Sequence, residues 1–134
     1  MLVHSQMERI TLSALGNINR IISATKNSAD GILVLLKEPA ARQELIYGVV
    51  ALLVLILLGS ELYHLLIFTV LLLIIMAVET LNTAIEHVVD RVSPEISDFG
   101  KKAKDLGSAA VSFVLLAAGL YWLYAVFTAF GLIG

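Results

Sequence analysis

The stretch LYHLLIFTVLLLIIMAVETLNTAIEHVVD, Leu62 to Asp90, decides how the chain reads. Its first seventeen residues, Leu62–Val78, carry no formal charge, and the next twelve hold Glu79, Glu86 and Asp90. A membrane-spanning helix needs about 20 mostly apolar residues, with about 17 at the short end. The run is therefore of membrane length, and carboxylates begin where it stops.

Composition points the same way. Of 134 residues, 59% are hydrophobic and only 15% are charged. A soluble domain of that size cannot hide so much apolar surface, because small domains keep much of their surface wet. Lipid is the expected solvent. The length allows one domain and no separate catalytic one. The absence of cysteine excludes disulfides, thiolate metal sites and cysteine nucleophiles. A net charge of -2 selects no partner, and no nucleic-acid partner is expected. No cleavable signal is expected either, since the first forty residues scatter acids and polar groups where a basic start and apolar core would be needed.

Two more uncharged runs, Leu45–Ser60 and Leu106–Gly134, flank the first. The expected organisation is a cytoplasmic tail and surface helix over 1–38, then spanning helices over 40–60, 62–91 and 104–132. The second span continues into a cytoplasmic extension. All are helices, because a lipid-exposed backbone must satisfy its own hydrogen bonds. Pro39 and Pro94 stand at boundaries. Orientation follows from the basic residues. Arg9, Arg20, Lys26, Lys37 and Arg42 precede the first span, and Arg91, Lys101, Lys102 and Lys104 lie between the second and third. None of the nine occurs between the first two spans or after the third, so the N-terminus and the 79–105 segment read as cytoplasmic. Ahead of the spans, Ile18, Ile21, Ile22, Ala29, Ile32, Leu33 and Leu36 recur at three- and four-residue spacing. That pattern reads as an amphipathic helix on the inner leaflet, with residues 1–15 as a frayed tail.

The acids after Val78 share a face. At about 100° per residue, Glu86 and Asp90 each fall within about 20° of Glu79, with Asn82 and Thr83 flanking the stripe. Leu81, Ile85, Val88 and Val92 lie opposite. A solvated face on a helix leaving the bilayer explains such a stripe equally well by itself. Two features favour function: Glu79 sits at the membrane boundary, where a carboxylate is costly, and Glu38, Glu44, Lys104 and Asp105 gather at the same depth. Carboxylates can hold Mg²⁺ by one or two contacts while nucleotide phosphates supply more oxygens, and a nearby lysine neutralises phosphate charge. No GxxxxGK loop, kinase glycine loop or HRD segment occurs, so any ATP is handled outside the common soluble nucleotide folds.

The segments ETLNTAIEHVVDR, KEPAARQE and AKDLGSAAV together resemble the small prokaryotic integral-membrane diacylglycerol kinases. The resemblance implies a homotrimer in the bacterial inner membrane, with active sites shared between subunits, that phosphorylates diacylglycerol with ATP and Mg²⁺. By position it implies Glu79 as the general base, and Glu38 and Glu86 as carboxylates for the metal. It implies Asn82, Lys104 and Asp105 around the phosphates, and Glu95 and Ser97 at the nucleotide. Arg20 matches a surface-helix arginine that serves nucleotide and lipid, and Arg42, Gln43 and Ser108 would border the lipid. Two departures stand out: Asn27 replaces the family's aromatic beside the nucleotide, and Ile96 and Ser97 replace bulky residues after Glu95.

Several residues read as structural. His64 lacks neighbouring partners and reads as an interfacial side chain near the outward end of its span; His87 points about 80° from Glu79. Tyr121, Trp122 and Tyr124 read as packing or belt residues, and Gly107 with Ser108, Ala109 and Ala110 permits close helix approach. Two rival functions remain: an undecaprenol kinase of the same family, and a non-enzymatic channel or scaffold. The second is weakened because the middles of all three runs lack charge.

Overall fold

A computed structural model describes residues 2–95 and 97–133, with side chains described from Asn17 onward. Four helices follow in order: α1 (Leu2–Leu35), α2 (Pro39–Leu57), α3 (Leu62–Val92) and α4 (Asp98–Ala129). The chain divides into two compact units, Met1–Lys37 and Glu38–Gly134.

The first unit is α1. It is helical from Leu2, not from about residue 16 as the tail reading expects. No proline or glycine interrupts residues 2–15, so nothing in the backbone stops the helix from starting early. Ile18, Ile21, Ile22, Ile32 and Leu33 form one exposed apolar stripe along it.

The second unit is a three-helix bundle, and α2, α3 and α4 are each long and apolar enough to cross a membrane. The chain is an all-α integral membrane protein. Pro39 opens α2 at a position where its missing N–H goes unneeded. At the other end Gly59 adopts φ +70, letting Ser60 N–H reach Leu55 O at 3.1 Å. This left-handed residue ends α2 at Leu57, three residues short of the expected span. Ser97 caps α4 by accepting from Gly100 N–H at 3.1 Å. The helix therefore begins at Asp98, six residues before the span expected from 104.

The nineteen residues of α2 extend about 29 Å, roughly one hydrocarbon thickness. The thirty-one of α3 extend about 46 Å, so its last three turns project beyond the apolar layer. Glu86 and Asp90 occupy that projection, and Glu79 lies about one turn before it, at the edge of the apolar layer.

Antiparallel packing of α3 against α4 dominates the bundle. Leu55, Phe68, Ile75, Ala118 and Ala125 form its core. Trp122 pins α4 to α2 by donating from Nε1 to Ala51 O at 2.9 Å. Thr69 and Ser112, inside the apolar runs, each donate to the carbonyl four residues back. Many large apolar side chains, among them Ile46, Leu53, Leu66, Leu73, Phe113 and Leu116, stay exposed for lipid to cover.

His64 departs from the interfacial reading. It is 2% exposed, with Nδ1 3.0 Å from the Tyr121 hydroxyl and Nε2 3.2 Å from Thr128 Oγ1. Thr128 already donates to Ala125 O at 2.8 Å, so it must accept from His64 Nε2–H, and Nδ1 accepts from Tyr121. Those partners lie more than fifty residues away, so local sequence cannot announce them.

Candidate active site

The bundle's register sets acids from α2 and α3 around one cavity of about 290 Å³. Glu38 enters from the residue before α2 and Glu44 from its second turn, and Glu79, Asn82, Thr83 and Glu86 enter from α3. Ser108 and Ser112 of α4 complete the wall. Glu79 is 4% exposed, a buried carboxylate at the lipid boundary. Four carboxyl groups thus share one cavity, and among the described residues no lysine or arginine lines it.

Glu44 is the addition here. The acids at this depth include it, but neither composition nor the family resemblance gave it a role. Its Oε2 is shut off from solvent and has no hydrogen-bond partner among the described residues. Its placement six residues after Glu38, nearly two turns on, was the available signal. His87, which points away from Glu79 by helical angle, brings Nε2 to 3.8 Å from Glu38 Oε1. The α2–α3 packing creates that approach.

The acidic stripe of α3 divides between two places. Asp90 leaves the first cavity and pairs with Lys104 of α4. Together they border a second cavity of about 230 Å³ with Ser93, Glu95, Ser97, Gly100 and Lys101. Ser93 and Ser97 hydroxyls lie 2.8 Å apart. Lys101, Lys104 and the N-terminus of α4 bring positive charge to this cavity beside the carboxylates of Asp90 and Glu95. Ile96, beside it in sequence, lies outside the described residues. Asp105 is exposed and lines neither cavity, as is Arg42. Arg20 is exposed on α1, in the other unit.

A third cavity, about 450 Å³ and almost wholly apolar, runs up the bundle between Gln43, Tyr47, Phe68, Leu115 and Trp122. It shares Ala40 and Glu44 with the carboxylate cavity, so the two are contiguous.

Among the described residues no three His, Cys, Asp or Glu side chains converge as a metal-binding group. A self-sufficient metal cage is therefore not built here. A Mg²⁺ that takes one or two protein carboxylates and finishes its octahedron with phosphate and water needs none. Glu38 and Glu86 fit that requirement, both facing one cavity and Glu86 held by Asn82 Nδ2 at 3.2 Å.

Helices that cross lipid and converge polar chemistry where the apolar layer ends define a small integral-membrane enzyme. The family model described as prokaryotic diacylglycerol kinase matches residues 26–126, a segment that includes every residue lining the three cavities. The chain belongs to that family and is a lipid kinase. It is 43% identical over 109 residues to a diacylglycerol kinase of Sinorhizobium sp, covering 81% of this chain and 80% of the relative. A diacylglycerol kinase of Haemophilus influenzae is 33% identical over 106 residues, covering 78% and 90% of the two chains. One from Pseudomonas aeruginosa is 38% identical over 106 residues, covering 78% and 86%. Family membership removes the channel or scaffold reading. Arg20 lies before the matched segment.

Proposed function

We propose that the chain transfers the γ-phosphoryl group of ATP to the hydroxyl of diacylglycerol, giving phosphatidic acid and ADP. One observation carries this reading: the carboxylate cavity opens on one side into an apolar groove, and the next turn of α3 borders a lysine-lined cavity. A lipid alcohol and a polyphosphate each find a suitable environment at either side of Glu79 and Glu86. The relatives' shared name supports diacylglycerol over undecaprenol as the acceptor.

In this mechanism the acyl chains stay in the apolar groove and the lipid hydroxyl reaches Glu79. Glu79 accepts the hydroxyl proton as the oxygen forms its bond to the γ-phosphorus, and the bond from that phosphorus to the bridging oxygen breaks. Phosphoryl transfer depends mainly on alignment and charge neutralisation, so few protein groups suffice. Glu38 and Glu86 would hold Mg²⁺, which when bound neutralises phosphate oxygens. Lys104, oriented by Asp90, and Lys101 offset the remaining phosphate charge, while Glu95 and Ser97 meet the nucleotide. Asn82 orients Glu86. Gln43, in the groove wall, and Ser108 border the lipid head, with Arg42 at the surface.

The nine-to-zero distribution of basic residues supports a cytoplasmic N-terminus and active site, in the inner membrane of a bacterium. The apolar stripe of α1 supports its lying on the inner leaflet. A homotrimer, with neighbouring subunits contributing to each site, follows from the resemblance to the family.

Parallel assays of the purified chain in mixed micelles, with diacylglycerol and with undecaprenol, test the proposal. Diacylglycerol should accept ³²P from γ-labelled ATP in the presence of Mg²⁺, and far faster than undecaprenol. Preferential labelling of undecaprenol would replace the substrate assignment.

A further inference from the structure

Asn82 is buried where α3 crosses α4, with 8% of its surface exposed. Its Nδ2 donates to Glu86 Oε1 at 3.2 Å. An ionised carboxylate only accepts, so this contact fixes which end of the amide faces Glu86. The other end, Oδ1, is closed off from solvent and has no hydrogen-bond partner among the described residues. Leaving a buried carbonyl oxygen unbonded is unfavourable, so something other than hydrogen bonding must hold it there.

That oxygen faces Gly107 of α4. A Cβ added at Gly107 would collide with Asn82 Oδ1, and would come within 3.3 Å of its Cγ and 3.8 Å of its Cα. The last distance is ordinary contact with backbone, so it is the carboxamide that a methyl at Gly107 would displace. The carboxamide is wedged between the α4 backbone and the Glu86 carboxylate.

We propose that Gly107 is a positioning residue for Glu86: its bare backbone presses the Asn82 carboxamide into place, and that amide holds Glu86 toward the cavity. The proposal rests on the assignment of Glu86 to Mg²⁺. Gly107 does not touch the metal or the substrates in this scheme. It fixes the rotamer of the group that does the holding, and an outer-shell partner of this kind tunes a ligand's affinity.

The test is a double-mutant cycle on the full chain in detergent: Gly107→Ala, Asn82→Ala and both together. Gly31→Ala serves as control, because a Cβ there meets nothing within 4 Å and the residue lines none of the three cavities. Two quantities are read: the thermal unfolding midpoint without nucleotide or metal, and the Mg²⁺ concentration giving half-maximal activity. The Mg²⁺-dependent rise of the midpoint with a non-hydrolysable ATP analogue checks the second independently of turnover. Alanine is the better helix former, so Gly31→Ala should keep or raise the midpoint and leave the Mg²⁺ requirement unchanged. Gly107→Ala should lower it and raise the Mg²⁺ requirement about tenfold, the lower end for a lost outer-shell partner. In the Asn82→Ala background Gly107→Ala should change neither, since no amide remains to collide with. Equal shifts in both backgrounds overturn the proposal, because Gly107 then acts through helix packing alone. A lowered midpoint with parental Mg²⁺ dependence overturns it too. Glu86→Gln separates the two layers: parental Mg²⁺ dependence there overturns the metal assignment, and the midpoint cycle then decides the Gly107–Asn82 wedge by itself.

Discussion

Replacing His64 with leucine should weaken the bundle while leaving the chemistry of each folded molecule intact. His64 joins α3 to α4 by two interhelical bonds, to Tyr121 and to Thr128. Such bonds in membrane proteins average about 0.6 kcal/mol and reach about 1.7. Losing both should therefore cost about 1–3 kcal/mol. Leucine keeps apolar volume in the site, so the cavity contribution stays small. Thr128 retains its bond to Ala125 O, which leaves Tyr121 as the group that loses its acceptor. Tyr121→Phe alone should cost about half as much, and should add nothing in the His64→Leu background. Glu79 lies fifteen residues along the same helix, about 22 Å away, so kcat and Mg²⁺ dependence should match the parent. The assay pairs unfolding in graded denaturing detergent with lipid phosphorylation at 25 °C, normalised to folded protein. Parental stability in His64→Leu would refute the stabilising role of these two bonds. So would additive effects of the two substitutions.

Further outcomes follow from the proposed site. Glu86→Gln and Glu38→Gln should each raise the Mg²⁺ requirement by more than the roughly 10–100-fold typical of a lost outer-shell partner, because a neutral amide is a poor ligand for a hard cation; Mg²⁺ titrations of activity check this, and a parental curve removes that residue's metal role. Lys104→Met should raise the KM for ATP and strand Asp90 without a partner, whereas the KM for diacylglycerol in micelles should barely move. Tags at the N-terminus and in the 95–102 segment should be shielded from protease added to spheroplasts, and a tag after Gly134 should be cleaved; a protected C-terminal tag would break the three-span topology.

The spans were legible because lipid imposes a length and a composition that no tertiary contact overrides. Their ends were less so. α4 starts under a Ser97 cap among polar residues, which a search for apolar runs cannot see, and α2 stops early because Gly59 turns left-handed. The shared face of Glu79, Asn82 and Glu86 followed from helical angle alone, and all three line one cavity. Asp90 satisfies the same angular rule yet turns to Lys104, a choice made by the packing of α4. Glu44 and His64 owe their surroundings to neighbours on other helices, so their positions in the sequence carried little of the signal.

Glu79 carries the central claim, that a carboxylate buried at the edge of lipid accepts the proton of a membrane-bound alcohol. The measurement is steady-state phosphorylation of diacylglycerol by Glu79→Gln in mixed micelles, alongside Mg²⁺-ATP binding to the same variant. General-base assistance is worth about 10²–10⁴-fold, so kcat should fall by about that factor with nucleotide binding nearly unchanged. Glu79→Asp should recover little, because the shorter side chain withdraws the carboxylate from the hydroxyl. A kcat close to the parent's in Glu79→Gln would contradict the base assignment, and a large loss of nucleotide binding would move Glu79 to the metal.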